Sequence, residues 1–212
     1  MSPVRLYAVA AFEGHAAPSL HGAGKPVVFR DLVALTADTP SSRPSIAPGD
    51  LDAHRAAVAA AFAQHPVLPA PPGTVFRTGD SLMRWLELHY VTLRDALSFV
   101  EGRAEARVHV ARRAHGAPGA RGEELAIDID AVANDAFRVL RRHAVASVAL
   151  RTTGADSAPD AAAASAAFLV ERDRWRTFED VVDEEARRDP ELIFRLTGPW
   201  PPYDFVSMEF GG

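Results

Sequence analysis

The spacing of hydrophobic residues in the C-terminal half of the chain switches between a two-residue and a three-to-four-residue period. Strands are predicted over 104–110, 145–151, 166–170 and 191–197. A helical period predicts helices over 129–140 and 175–186, each with one apolar stripe. The order strand, helix, strand, strand, helix, strand is typical of a ferredoxin-like α+β domain. Such a domain has an antiparallel sheet and carries both helices on one face.

Similar elements occur in a different order in the N-terminal half. Strands are predicted over 4–10, 27–29 and 32–35, and short extended segments over 67–68 and 74–76. One helix is predicted from Asp50, as its cap, to Pro66, with His54 on the apolar side. Another is predicted from Thr78 or Asp80 to Leu97, with Trp85 on the flank of its stripe. We therefore predict two α+β domains, a modified one over 1–100 and a ferredoxin-like one over 101–212.

Three prolines within four residues near the C-terminus mark a stiff corner in the segment 198–206, Gly-Pro-Trp-Pro-Pro-Tyr-Asp-Phe-Val. Proline fixes φ and lacks a backbone donor, so this segment cannot continue a helix or pair inside a central strand. We predict a corner that joins two extended pieces. Its aromatic residues, Trp200 and Tyr203, fold back onto the core of the second domain, contact a partner protein, or do both, since a rigid corner can both pack and present a surface.

The corner closely resembles the C-terminal signature of the GvpL/GvpF family of gas vesicle proteins, and an earlier block resembles the family at the matching place. The signature positions, which are also the possible interface residues, are Gly198, Pro199, Trp200, Pro201, Pro202, Tyr203 and Phe205, together with Leu68, Pro69, Gly73, Thr74, Val75 and Phe76. Weaker similarity at residues 6–9 and 167–170 extends the match over almost the whole chain in the family's order.

The chain departs from the family pattern in two places. The family's usual leucine-arginine-phenylalanine within the earlier block is here Ala70-Pro71-Pro72, and the segment between Val110 and Leu125 is short. No family role can be transferred to those three positions. A divergent protein with an altered partner is compatible with both differences.

Composition narrows the classes of function. The chain has 212 residues, a net charge of −5 and no basic block, so nucleic acid is not expected as a partner. No stretch approaches the roughly 20 apolar residues of a membrane-spanning helix, and no secretory signal is visible. Zero cysteines exclude disulfides and thiolate metal sites. We expect a soluble protein of the cytoplasm.

Candidate catalytic and cofactor sites are weak. Gly22-Ala23-Gly24-Lys25 lacks the first glycine, the Ser/Thr and the following helix of a phosphate-binding loop. The eight histidines show no metal-binding spacing, and those on apolar stripes, His54 and His89, are interpreted as hydrogen-bonded core residues. An acidic run over 179–185 is bracketed by arginines, which favours a self-paired solvated helix face. We predict no cofactor, no metal and no enzymatic activity.

The resemblance implies an accessory or minor structural protein of gas vesicles. It implies binding to the main gas vesicle shell protein and to other accessory proteins during nucleation and assembly. The alternative is a small-ligand-binding regulatory module, because paired ferredoxin-like domains often bind metabolites between them. An enzyme ranks last, for want of paired acid, base or nucleophile.

Overall fold

The computed structural model describes residues 2–12, 25–40, 46, 48–113, 129–151 and 164–206. The loops predicted for 13–25, 40–48, 116–122 and 153–160, and the extended structure expected after Val206, lie largely or wholly outside these ranges. The chain divides into two compact units. The first contains residues up to Gly102 together with the chain from Pro201 onward, and the second runs from Arg103 to Trp200. The C-terminal end of the proline corner thus groups with the first unit, whereas the sequence analysis assigned it to the second.

The first unit is built on one antiparallel sheet. Its strands and helices are β1 (Val4–Ala11), β2 (Lys25–Phe29), β3 (Leu32–Asp38), α1 (Pro48–Phe62), β4 (Val67–Pro69), β5 (Val75–Phe76), α2 (Gly79–Leu88) and α3 (Tyr90–Val100). The strand order is β2-β3-β1-β4, and β5 also pairs with β1. The predicted strands are confirmed here, with ends that differ from the prediction by one to three residues.

Helices cover both faces of this sheet. The α1-side core consists of Tyr7, Ala8, Val33, Leu35, Ala57, Val58, Ala61 and Val67. The α2/α3-side core consists of Leu6, Val9, Leu32, Ala34, Leu68, Ala70, Phe76, Leu82, Trp85, Leu86, Leu93, Leu97 and Val100. Because both faces are covered, β1 and β3 each bury five consecutive residues. Continuous apolar runs are typical of strands in that position.

Three local predictions in this unit were wrong. The first helix begins at Pro48, so Asp50 lies in its first turn and pairs with Arg5 of β1, at 2.7 Å from carboxylate to guanidinium. Proline is favoured in a first helical turn, which explains the earlier start. The second helix is two, α2 and α3, separated at His89. Trp85, expected on the flank of the apolar stripe, is buried in the core.

The second unit has the predicted ferredoxin-like topology. Its elements are β6 (Arg103–Arg112), α4 (Ile129–Leu140), β7 (Ala146–Ala149), β8 (Ala164–Glu171), α5 (Trp175–Arg188) and β9 (Leu192–Trp200). All pairings are antiparallel, in the order β7-β8-β6-β9. Phe137 of α4 and Phe178 of α5 both contact Phe168 of β8, with ring centroids 5.9 and 5.5 Å apart. The two helices therefore lie on one face of the sheet.

Two features of the second unit differ from the prediction. The last strand does not stop at Thr197 but continues through Pro199 to Trp200. A strand can include proline when it lies at the edge of the sheet, as β9 does. The charged face of α5 is less self-paired than expected, since the one ion pair within its described side chains joins Arg188 to Glu185 at 2.8 Å. Across the described ranges, no helix is long and apolar enough to span a bilayer.

Candidate interaction site

The proline corner begins at a backbone position that only glycine fits. Gly198 of β9 has φ +131°, a region that residues with a side chain rarely adopt. A β-carbon built there would lie 2.7 Å from the carbonyl oxygen of Glu105 and 2.7 Å from Cη2 of Trp175. Glu105 of β6 and Trp175, the first residue of α5, therefore pack directly against Gly198 and leave no room for a side chain there.

Trp200 is presented to solvent directly after this tight contact. It pairs with Glu105 of β6, and its side chain is 45% exposed. The indole Nε1 donates a hydrogen bond to Oγ1 of Thr197 at 3.2 Å, which holds the ring against its own strand. The reading in which Trp200 folds into the core of the second domain was wrong. An indole that is ordered but open to solvent is suited to contact with another molecule.

The remainder of the corner packs into the first unit. Pro201 and Pro202 are buried, and their carbonyl oxygens accept hydrogen bonds from the backbone N–H groups of Tyr203 and Phe205, at 2.8 and 3.3 Å. Tyr203 packs against the α1-side core, and Val206 against the α2/α3-side core. Tyr203 therefore caps a core as predicted, but the core is that of the first unit.

The earlier signature block forms part of the scaffold. Leu68 of β4 is fully buried, Pro69 pairs with Ala8 of β1, and Phe76 packs on Trp85 with ring centroids 5.6 Å apart. Between these strands, after the turn at Gly73, Thr74 accepts a backbone hydrogen bond from Leu6. Val75 of β5 pairs with Arg5. These positions are placed to hold β1, rather than to offer a free surface.

The divergent segment 70–72 lies between the two strands of this block. Ala70 is buried, and its N–H donates to the carbonyl oxygen of Tyr7 at 2.9 Å. Pro71 and Pro72 are exposed, and Pro71 accepts hydrogen bonds from the backbone and side chain of Thr74. The change from the family's usual residues therefore alters a small exposed turn and one core position.

A row of polar side chains extends from Trp200 across the face of the second sheet opposite the core formed with α4 and α5. Glu105 is fully buried, and its carboxylate accepts a hydrogen bond from Nε of Arg107 at 2.7 Å. His109 lies two residues further along β6, and its Nδ1 is 2.9 Å from Oγ of Ser165. The only sign of this row in the sequence is the alternation of charged and apolar residues in β6.

The electrostatics of this row are set by burial and by its arginines. Burial lowers the pKa of His109, and the neighbouring guanidinium groups of Arg107 and Arg195 lower it further. The histidine is therefore neutral near pH 7, while the Glu105 carboxylate is held by an arginine. Within the described ranges, no group of three or more histidine, aspartate or glutamate side chains is placed to hold a metal ion.

His54 of α1 is buried in an unexpected way. It is only 2% exposed and meets the ring of Tyr7 edge-on, with centroids 5.5 Å apart. Neither ring nitrogen makes a hydrogen bond of ordinary geometry to a described residue, and the predicted hydrogen bond of this core histidine is at most a weak one to the backbone of Ala70. Burial lowers the pKa of His54, and the charge of Arg5 adds to this, while the nearby backbone of Ala70 opposes it.

A shallow groove of about 370 Å³ lies between α4 and the end of α5. It has an apolar floor that includes Val132 and Val139, and rims that carry both arginines and carboxylates. Two of those arginines, Arg138 and Arg188, pair with carboxylates of their own helices at 3.0 and 2.8 Å. Because its rim carries both signs of charge, the groove does not select a class of ligand.

Known proteins that are similar to this chain are gas vesicle proteins, as the proline corner and the earlier block suggested. The family model described as "Gas vesicle synthesis protein GvpL/GvpF" matches residues 6–120 and 119–207. The chain is 30% identical over 188 residues to gas vesicle protein F2 of Halobacterium salinarum, covering 87% of this chain and 81% of that protein. It is 29% identical over 247 residues to gas vesicle protein L of a Streptomyces species, covering 96% and 92%.

A solved structure extends the similarity to the backbone. The crystal structure of the gas vesicle protein GvpF from an Anabaena species matches with a TM-score of 0.77 and 16% identity, covering 100% of this chain and 99% of that one. At this identity the match shows the fold, which is a two-domain α+β fold. The chain belongs to the GvpL/GvpF family of gas vesicle proteins.

Proposed function

We propose that this chain is an accessory or minor structural protein of gas vesicles that acts in the cytoplasm. It binds the main shell protein, and other accessory proteins, while vesicles nucleate and assemble. It does so without a cofactor and without catalysing a reaction. Family membership supports the vesicle role. The exposed indole of Trp200 is the observation that best supports a binding role.

Trp200 has the properties of a binding hot spot. Tryptophan is enriched among the residues that contribute most to protein interfaces, because one rigid ring buries a large apolar area. Here the ring is held by its hydrogen bond to Thr197 and by the tight packing around Gly198. Little conformational entropy is lost when such a ring is covered, so a partner with an apolar surface gains affinity from it.

The edge strand β7 offers a second route for contact. Among the described strands it pairs with β8 alone, and the nearby side chains of Val145 and Val148 are 43% and 39% exposed. An unprotected edge strand can pair with a strand of another protein. We assign it a supporting role, because it is short and the family signature does not include it.

Capture of purified main shell protein by the full chain tests the proposal. The wild-type chain, Trp200→Ala and the matched control Val28→Ala, which truncates a side chain that is 41% exposed on β2, would be immobilised. Bound shell and accessory proteins would be quantified at two salt concentrations. We expect Trp200→Ala to lose at least about tenfold in affinity, as a hot-spot residue does, while Val28→Ala changes little. Moderate salt should have little effect, since no concentrated charge patch steers the encounter. Failure of the wild-type chain to capture any vesicle protein would refute the proposed function.

A further inference from the structure

The helices α2 and α3 expose two aliphatic side chains where a core-facing helix normally shows polar residues. Leu88 is 78% exposed and Val91 is 68% exposed, more than any other large hydrophobic side chain in the described ranges. The backbone is nearly continuous there, because His89 donates to the carbonyl of Trp85 at 3.0 Å and Leu93 to that of His89 at 2.9 Å. The two exposed side chains therefore lie on one continuous helical face.

Two charged residues extend this face in both directions. Arg84 precedes Leu88 by four residues, and Asp95 follows Val91 by four. Spacings of four, three and four residues keep all four side chains on one stripe, opposite the buried stripe of the same helices. All four are exposed, and neither Arg84 nor Asp95 has an ion-pair partner within the described ranges. We call these four residues the exposed stripe.

The exposed stripe is complementary to itself. When two copies pack antiparallel about an axis between residues 89 and 90, Leu88 of each copy meets Val91 of the other. The same operation places Arg84 of each copy opposite Asp95 of the other. A twofold contact requires one surface to complement itself in this way, and charge pairs that flank an apolar centre set the register of paired helices.

We propose that the exposed stripe is the contact surface of a homodimer, in which α2 and α3 of two copies pack antiparallel. This goes beyond the proposed function, which concerns other vesicle proteins. A second copy is favoured over a different partner because the charges match under the twofold axis. The contact is small compared with the roughly 1,200–2,000 Å² of stable interfaces, so the dimer is weak and forms with rising concentration.

Sedimentation equilibrium of the full chain over a concentration series tests the proposal. Leu88→Glu should abolish the dimer, while Val148→Glu, which changes an exposed aliphatic residue of the other unit, should leave it intact. Arg84→Asp or Asp95→Arg should each weaken the dimer about tenfold or more, because one change turns both symmetric pairs into like-charge pairs. The double variant, which exchanges the two charges, should restore wild-type affinity.

Cross-linking tests the antiparallel register separately, since the chain has no cysteine of its own. A mixture of Arg84→Cys and Asp95→Cys chains should form a disulfide on mild oxidation. Either variant by itself should not, because residues eleven positions apart on a helix are about 16 Å apart along its axis. A chain that stays monomeric at all concentrations would overturn the proposal. So would a dimer that withstands Leu88→Glu, or one that the exchange of charges fails to restore.

Discussion

Substitution of Gly198 by alanine tests whether the corner is as tightly packed as the structure describes. Two costs add. A residue with a side chain at φ +131° is strained, by about 1–3 kcal/mol. The new methyl group would also lie 2.7 Å from the Glu105 carbonyl oxygen and from the Trp175 ring. Forcing an extra group into packed surroundings costs about 1–3 kcal/mol. We therefore expect Gly198→Ala to lower the free energy of unfolding of the second unit by about 2–6 kcal/mol.

Substitutions at two other glycines separate the cost of backbone strain from the cost of steric overlap. Gly102 has φ +68° but nothing within 4 Å of a built β-carbon, so Gly102→Ala should show the strain of about 1–2 kcal/mol without the overlap. Gly49 in α1 has open space and ordinary φ, so Gly49→Ala should be neutral or stabilising by up to about 1 kcal/mol. Urea unfolding followed by circular dichroism gives all three values. If Gly198→Ala loses no more than Gly102→Ala, the close packing around the corner is refuted.

The two differently placed tryptophans and the buried histidine give further predictions. Trp85→Ala should destabilise the first unit by about 3–5 kcal/mol, because the Trp85 ring is buried. Trp200→Ala should cost under about 1 kcal/mol, because the Trp200 ring is largely exposed. Equal losses of stability in urea unfolding would contradict the exposed placement of Trp200. The pKa of His54 is lowered in the folded chain, so the unfolded state binds a proton first as the pH falls through about 6.5. Folding stability should therefore be full above that pH and decline below it, and His54→Leu should flatten the decline; an unchanged slope would mean that His109, shifted in the same direction, or another group carries it.

Most elements of the second unit could be predicted from sequence because each has a single apolar face, whereas β8 is a continuous apolar run in which all but the two end residues are buried. Strand β6 alternates charged and apolar residues, and α5 has one stripe that includes Phe178 and Val182. In such elements the period of the pattern states both the type of element and the side that is buried. The confirmed ferredoxin-like topology then follows from known connection rules.

The two-sided burial of the first sheet was harder to predict. A strand buried on both faces has no period, so the runs in β1 and β3 indicate burial without saying which helix covers which face. The break at His89 was missed for a related reason. Its backbone hydrogen bonds continue across the junction, so the buried positions of α2 and α3 stay in phase.

The corner shows where sequence resemblance and local physics diverge. Resemblance located the signature, and the proline rule predicted that no central strand could include it. The location of the signature and the exclusion of a central strand are both consistent with the structure. Neither the resemblance nor the proline rule could show that β9 lies at the edge of its sheet, where a strand can include Pro199. Nor could they say that Trp200 is exposed while Tyr203 packs against a core, since the chain is assigned to a different unit after Trp200.

Vesicle formation in cells tests the central claim most directly. In a host that makes gas vesicles with this chain, its gene would be deleted and replaced by the wild-type, Trp200→Ala or Val28→Ala form, and vesicles would be counted by electron microscopy at matched chain abundance. We predict that deletion abolishes or sharply reduces vesicles, that wild-type and Val28→Ala restore them, and that Trp200→Ala restores them poorly. Normal vesicle numbers after deletion would contradict a role in assembly, and full rescue by Trp200→Ala would contradict the role assigned to the exposed indole.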